Sequence, residues 1–163
     1  MKKPTTIALL LAAAVFFNRA NAQNQTEHDP TIRSKDSLIK VNMIDPAEAG
    51  GQTPDWLKLT KTISAQYDAV YADRTITKAK IYFYYGKDWP QFCAAIVHYT
   101  NKYEDPNDLP LMSMNAQYIL AKSTDKSELQ SALQWSKKAA AGEPSNQIYK
   151  DTEKALQAKL DQL

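Results

Sequence analysis

From residue 53 onward, apolar residues recur at the three- and four-residue spacing that places them on one face of a helix. Thr53 and Pro54 are typical of a helix start, because threonine caps free N–H groups and proline suits the first helical position. The pattern predicts a first helix over residues 54–72. Its apolar face consists of Trp56, Leu59, Ile63, Tyr67 and Val70.

The next segment, residues 74–85, fits two patterns. Apolar or β-branched residues alternate with polar or long ones, which is typical of a strand. In the other pattern, Ile76, Ala79 and Phe83 share one face of a helix. A lone strand among helices would leave its backbone groups unpaired, which favours the helix and leaves the strand as the alternative.

Four more helix starts follow, each marked by a polar residue that can cap a helix. The predicted starts are Asp88 with Gln91, Asp108, Asp125 with Glu128, and Ser145 or Asn146. Glycine is scarce, and Gly142 follows the fifth apolar stripe as a stop signal. The chain is therefore predicted to be all-α, with six helices joined by short loops.

Ala132, Ala139 and Pro144 have the relative spacing of the positions that close a tetratricopeptide-type helix–turn–helix repeat. Small residues let two helices approach closely, and proline prevents the second helix from continuing. The spacing predicts antiparallel helix pairs stacked as a short tetratricopeptide-like solenoid, an architecture that mostly binds other proteins. Ser136, beside Trp135, departs from the repeat consensus, which has a large residue at that position.

Residues 1–22 have the pattern of a secretory signal peptide: a basic start, an uncharged apolar run and small residues before Ala22. We expect cleavage after Ala22 and a secreted or periplasmic protein. The apolar run is about 13 residues, whereas a transmembrane helix needs about 20, so no membrane insertion is expected after cleavage. Residues 23–52 are polar and are predicted to be a flexible lead-in, with Leu38–Ile44 as a short strand or helical turn. Residues 53–163 are the predicted helical domain.

The charge balance argues against a nucleic-acid partner. The whole chain has 20 basic and 18 acidic side chains, but three of the basic ones, Lys2, Lys3 and Arg19, lie in the predicted signal peptide. The remaining chain carries no excess of positive charge that would attract nucleic acid or an anionic membrane.

No combination of residues indicates catalysis, a metal or a cofactor. Cys93 is the single cysteine and lies on an apolar stripe, so it is expected to behave as a small buried hydrophobe without a disulfide. His28 and His98 stand in unlike contexts and do not form a ligand pattern for a metal. We therefore expect no enzyme activity.

Tyr82, Phe83, Tyr84 and Tyr85 are consecutive, and one face of a helix cannot bury all four. In one interpretation, the tyrosines flank grooves between helices and extend their hydroxyls to water. In the other, they form an exposed aromatic surface for a protein or peptide partner. The candidate contact residues are Tyr82, Tyr84, Tyr85, Tyr99 and Tyr103.

Two stretches resemble a known group: YDAVYADRTITKAKIYFYYGKDWPQFCAAIVHYTNKYE and TDKSELQSALQWSKKAAAGEPSNQIYKDTEKAL. They are similar to the tetratricopeptide-like helical tail of secreted thioredoxin-family proteins from Bacteroidota, over about residues 54–160. The redox domain of that family uses a Cys-x-x-Cys pair, which this sequence lacks. The resemblance implies an exported, non-enzymatic binding module. The alternative is an accessory or degenerate relative of a secreted thiol oxidoreductase, with Cys93 as its thiol.

Overall fold

The computed structural model describes residue 37, residues 39–50 and residues 53–163, except for the side chains of residues 47 and 48. Throughout these residues the regular structure is helical, with seven α-helices and no strand. The predicted signal peptide, its cleavage site after Ala22 and most of the predicted lead-in lie outside the described residues. In the described part of the chain, no helix combines the length and apolar character needed to span a membrane.

The chain divides into two compact units, residues 1–50 and residues 51–163. In the first unit, a π-helical turn, Lys40–Ile44, leads directly into helix α1, Asp45–Ala49. The predicted short strand or helical turn is therefore helical from Ile39 to Ile44.

The second unit contains six helices, in agreement with the predicted number. They are α2 Trp56–Gln66, α3 Ala69–Tyr84, α4 Trp89–Tyr103, α5 Leu109–Lys122, α6 Lys126–Gly142 and α7 Gln147–Leu160. The all-α prediction is confirmed for the described residues, and consecutive helices pack as pairs.

The prediction of one helix over residues 54–72 is wrong. Helix α2 ends at Gln66, and Asp68 begins α3 because its carboxylate accepts a hydrogen bond of 2.7 Å from the Tyr71 N–H. The break turns Tyr67 and Val70 away from the predicted apolar face, and both side chains are exposed. Helix α3 then runs through residues 74–84, so the strand alternative for this segment is wrong as well.

The first helix of this unit also begins later than predicted. Asp55, and not Thr53, caps α2 by accepting a hydrogen bond of 2.9 Å from the Lys58 N–H. Pro54 lies before this cap and outside the helix.

Three predicted caps are confirmed in the structure. The carboxylates of Asp88, Asp108 and Asp125 each accept a hydrogen bond from a backbone N–H in the first turn of α4, α5 and α6. The backbone N–H of Asp88 donates to the Tyr84 carbonyl, and that of Asp125 donates to the Ser123 hydroxyl. In a reciprocal capping box, the side chains of Gln91 and Glu128 would accept hydrogen bonds from these two N–H groups. The two N–H groups have other partners instead.

Side-chain contacts show how the helices run. Asp73, near the start of α3, pairs with Lys102 near the end of α4, so these two helices are antiparallel. Leu109, at the start of α5, lies so close to Gly142 at the end of α6 that a Cβ there would collide with it. Glycine therefore permits the close approach of α5 and α6 at this end.

Helices that are second neighbours in the chain also touch. Lys159 of α7 donates hydrogen bonds of 2.8 and 2.7 Å to the backbone carbonyls of Leu120, in the last turn of α5, and of Ser123, directly after α5. The positive charge thereby meets the carbonyl end of the helix, where it is most stabilising. Helices α4 and α6 are also joined by a side-chain contact. The indole N–H of Trp135 on α6 donates a hydrogen bond of 2.9 Å to the side-chain oxygen of Asn101 on α4.

The small residues of the predicted repeat lie in the core. Ala132, Ser136 and Ala139 are fully buried on α6. The Ser136 hydroxyl donates a hydrogen bond of 3.3 Å to the backbone carbonyl of Tyr149 on α7. Ser136, which replaces the large residue of the repeat consensus, therefore lies where α6 contacts α7. A large side chain at position 136 would separate these helices.

Candidate binding surface

Cys93 does not have the surroundings of a reactive thiol. It is fully buried on α4 and free of any disulfide. Burial raises the pKa of its thiol to about 12, and the negative charge of Glu128 acts in the same direction. The nucleophilic thiolate is therefore disfavoured at neutral pH.

Histidine, cysteine and carboxylate side chains do not converge on a metal site in the part of the chain that the structure describes. His98 instead contacts Asp73, with 2.8 Å between its Nε2 and the carboxylate.

The five candidate tyrosines do not form one surface, and Tyr84 lies in the core. Its side chain is only 7% exposed, and its hydroxyl accepts a hydrogen bond of 2.9 Å from the Trp56 indole. The Trp56 ring also meets the rings of Tyr84 and Phe83 edge to face. Tyr84 therefore joins α2 to α3 and is not available to a partner.

Tyr85 belongs to a second aromatic cluster. Its ring lies 5.6 Å from Trp89, 5.4 Å from Phe92 and 6.1 Å from Tyr118. These edge-to-face contacts connect the end of α3 to α4 and α5. The ammonium group of Lys122 covers the Trp89 ring at 4.1 Å, so this cluster is also engaged within the fold.

Two of the other three candidates meet on α4, and the third, Tyr82, lies on α3. The rings of Tyr99 and Tyr103 are 5.5 Å apart, and Tyr82 is close enough to influence the ionisation of Tyr99. Tyr82 is 38% exposed, whereas the other two are half-buried. We call Tyr82, Tyr99 and Tyr103 the tyrosine face.

A cluster of charged groups supports one side of the tyrosine face. The same carboxylate oxygen of Asp73 accepts hydrogen bonds from Lys102, at 2.7 Å, and from the Tyr103 hydroxyl, and it contacts His98. Burial would raise the pKa of Asp73, but these bonds hold it well below the usual range of an aspartate. We call Asp73, His98, Lys102 and Tyr103 the Asp73 cluster. It joins the start of α3 to the end of α4 and orients Tyr103.

Glu104 lies directly after Tyr103, the last residue of α4. The side chain is half-buried, and burial raises the pKa of its carboxyl to about 7. Burial and the charge of Glu104 together raise the pKa values of Tyr82 and Tyr99. Arg74 acts in the opposite direction and lowers the pKa of Tyr99.

Sequence reasoning identified the tyrosines but missed their charged neighbours Asp73, Arg74 and Glu104. One local signal was present, because His98 and Lys102 are four residues apart and so share a face of α4. Their partner Asp73 is 25 residues from His98 in sequence. Helical periodicity relates only residues a few positions apart, so it could not predict the contact between Asp73 and His98.

Comparisons of this chain with protein-family models, with curated proteins and with solved structures found no match.

Proposed function

We propose that this protein is an exported, non-enzymatic helical-repeat module that binds a protein or peptide partner through the tyrosine face. The observation that carries the proposal is the ring contact of Tyr99 and Tyr103 on α4, together with the exposed Tyr82 on α3. Tyrosine offers a large contact area at a low cost in conformational entropy, and it is enriched where proteins bind each other. The Asp73 cluster holds Tyr103 in place before binding, which lowers the ordering cost further.

A tetratricopeptide-like stack is supported by the contacts between second neighbours, α4 with α6 and α5 with α7. In a solenoid, each helix pair contacts the next pair, so such contacts are expected. The buried small residues of α6 at the repeat spacing add to this argument. The resemblance to the helical tails of secreted thioredoxin-family proteins has the same implication.

Export is proposed from the signal-peptide pattern of residues 1–22. The protein would then act in the periplasm or outside the cell, with neither insertion into the membrane nor binding to nucleic acid. The alternative function, a relative of a thiol oxidoreductase, would need an accessible thiolate. The burial of Cys93 and the raised pKa of its thiol argue against it.

Site-specific photo-crosslinking tests the proposal. A photoreactive amino acid replaces Tyr82 in one variant and Ile148, on α7, in a second. Ile148 is 62% exposed and lies on a different helix, so it is a matched control for random collisions. We expect a discrete adduct from position 82 in cells that produce the protein, and no corresponding adduct from position 148.

Two further features make this result interpretable. Mass spectrometry of the adduct separates a foreign partner from a second copy of this chain. Circular dichroism of both variants checks that the helices are intact. Equal adduct patterns at the two positions, or no adduct at position 82 in a folded protein, would contradict the proposal.

A further inference from the structure

The imidazole of His98 is held by the fold at one ring nitrogen only. Its Nε2 lies 2.8 Å from the carboxylate of Asp73, a contact that joins α4 to α3. Among the residues that the structure describes, Nδ1 has no hydrogen-bond partner, and 46% of the side chain is exposed. The second nitrogen is therefore available to a group from outside the fold.

The contact with Asp73 decides which nitrogen carries the proton. Asp73 is ionised at neutral pH, because the ammonium group of Lys102 and the hydroxyl of Tyr103 donate hydrogen bonds to the same carboxylate oxygen. An ionised carboxylate only accepts hydrogen bonds, so Nε2 of His98 must be the donor. In a neutral imidazole with its proton on Nε2, Nδ1 carries a lone pair and is an acceptor.

His98 also lies beside the tyrosine face. The centroid of its ring is 6.3 Å from that of Tyr103, and the two rings meet edge to face at 69°. The ring of Tyr103 lies 5.5 Å from that of Tyr99. A partner that covers these two tyrosines would therefore come close to the imidazole.

We propose that Nδ1 of His98 accepts a hydrogen bond from the partner and thereby selects a partner with a neutral N–H or O–H donor at this point. This contact rests on the proposed function, because the partner is the one that binds the tyrosine face. Covering the imidazole without supplying a donor would leave a desolvated acceptor unpaired, which is costly. The donor is neutral, because the charges of Asp73 and Lys102 balance and leave no negative charge to hold a cation.

The proposed contact depends on pH. An imidazole gains its second proton between pH 8 and pH 5, and in His98 this proton goes to Nδ1, which becomes a donor. Asp73 from α3 favours the charged imidazole, Lys102 from α4 opposes it, and Tyr103 shares the carboxylate as a neutral phenol. In the described residues, α5 and α6, which also pack against α4, place no charged or titratable group in contact with His98. Acid should therefore weaken binding.

Nuclear magnetic resonance of the free protein tests the position of the proton. The chemical shifts of the two ring nitrogens distinguish a protonated nitrogen from an unprotonated one. The signals that vanish in His98→Gln identify those of His98. We expect the proton on Nε2 at pH 8, and a proton on Nδ1 at that pH would overturn the proposal.

Two substitutions of His98 separate the roles of its nitrogens. The amide of glutamine reaches as far as Nε2, so His98→Gln can still donate to Asp73 but has no acceptor at the position of Nδ1. The amide of asparagine reaches only as far as Nδ1, so His98→Asn offers an acceptor there and loses the contact with Asp73. At pH 8, we expect His98→Gln to weaken binding of the partner cross-linked at position 82 about tenfold, and His98→Asn to stay within about threefold of the wild type.

The order of the two variants distinguishes a partner contact from a purely structural role. If His98 only supported Asp73, His98→Asn would lose more affinity than His98→Gln, and that order would overturn the proposal. An affinity of His98→Gln equal to that of the wild type would do the same. Circular dichroism confirms that both variants are folded.

The pH dependence of binding gives a further readout. Between pH 8 and pH 5, the wild type should lose affinity about tenfold and His98→Asn should not. A loss that persisted in His98→Asn would belong to another group and would overturn the proposal. In each of these cases the partner still binds, so the binding function would stand. If no partner is captured at position 82, the proposed function fails and the contact of His98 fails with it.

Discussion

At the residue scale, a few buried or bridging side chains decide which chemistry this protein can perform. Cys93 is the single thiol, and its position in the core removes it from solvent and from oxidants. A reactive cysteine needs an accessible, electropositive site, which favours the thiolate. The fold buries Cys93 instead, and this burial raises the pKa of its thiol although Lys159 and Lys122 act in the opposite direction.

Thiol labelling measures this directly. We expect a thiol reagent to modify native Cys93 on the order of a hundredfold or more slowly than the denatured chain, because reaction requires opening of the core. The rate in denaturant is the control. Equal rates in the two conditions would revive the thiol oxidoreductase alternative.

The Asp73 cluster makes stability depend on pH in a defined direction. Because the folded pKa of Asp73 is lowered, its contribution is present above its unfolded pKa of about 4 and is lost as the pH falls further. About a third of the side chain is exposed, so we expect Asp73→Asn to cost only about 0.5–1 kcal/mol at pH 7. The cost should shrink as the pH falls below 4.

Urea unfolding at pH 7 and at pH 3 checks this prediction. Asp151→Asn on α7 is the matched control, since Asp151 is exposed and its hydrogen-bond partner is the neutral side chain of Gln147. A loss for Asp73→Asn that remained unchanged at pH 3, or that equalled the control at pH 7, would contradict the role assigned to the cluster.

At the element scale, helix starts are the best predicted features, because a cap and the N–H that it binds lie within three residues. Asp88, Asp108 and Asp125 could be recognised on that basis alone. The break between α2 and α3 was missed because it contains neither glycine nor proline, and the apolar period continues through Tyr67 and Val70.

Predicting the candidate site from the sequence was harder, for a geometrical reason. A helix turns by about 100° per residue, so the run at residues 82–85 must point in several directions. The sequence does not tell which of them faces the core. Tyr84 was placed there by the indole of Trp56, 28 residues away. The roles of Asp73, Arg74 and Glu104 likewise depend on packing between α3 and α4.

The capping interaction at the break between α2 and α3 can be tested by substitution. We expect Asp68→Ala to lower the free energy of unfolding by about 1 kcal/mol, because the Tyr71 N–H loses its acceptor. Asn146→Ala at the start of α7 is the control, since Asn146 makes no side-chain capping bond, and it should cost less. Equal losses in denaturant unfolding would show that Asp68 does not stabilise the start of α3.

At the scale of the whole molecule, the six helices of residues 53–163 differ in how deeply they are buried. Helix α5 has eight of its fourteen residues buried, whereas α7 has three. Helix α5 also packs against α4, α6 and α7. Stability is therefore expected to be greatest at α5 and lower at α7.

Native-state hydrogen exchange tests this gradient. We expect the amides of α5 to exchange only through global unfolding, and those of α7 to exchange through opening that requires less free energy. Exchange of α5 before α7 would contradict the packing described here. Equal opening free energies for α5 and α7 would also contradict it, because they would mean that the six helices open together.

The central claim is that the tyrosine face is where a partner binds. Once the partner cross-linked at position 82 is isolated, its dissociation constant can be measured with the wild type, Tyr82→Ala and Ile148→Ala. If Tyr82 is a central contact, its truncation should weaken binding by about 2 kcal/mol, roughly 30-fold, while Ile148→Ala leaves the affinity unchanged. Equal affinities for all three proteins would contradict the claim.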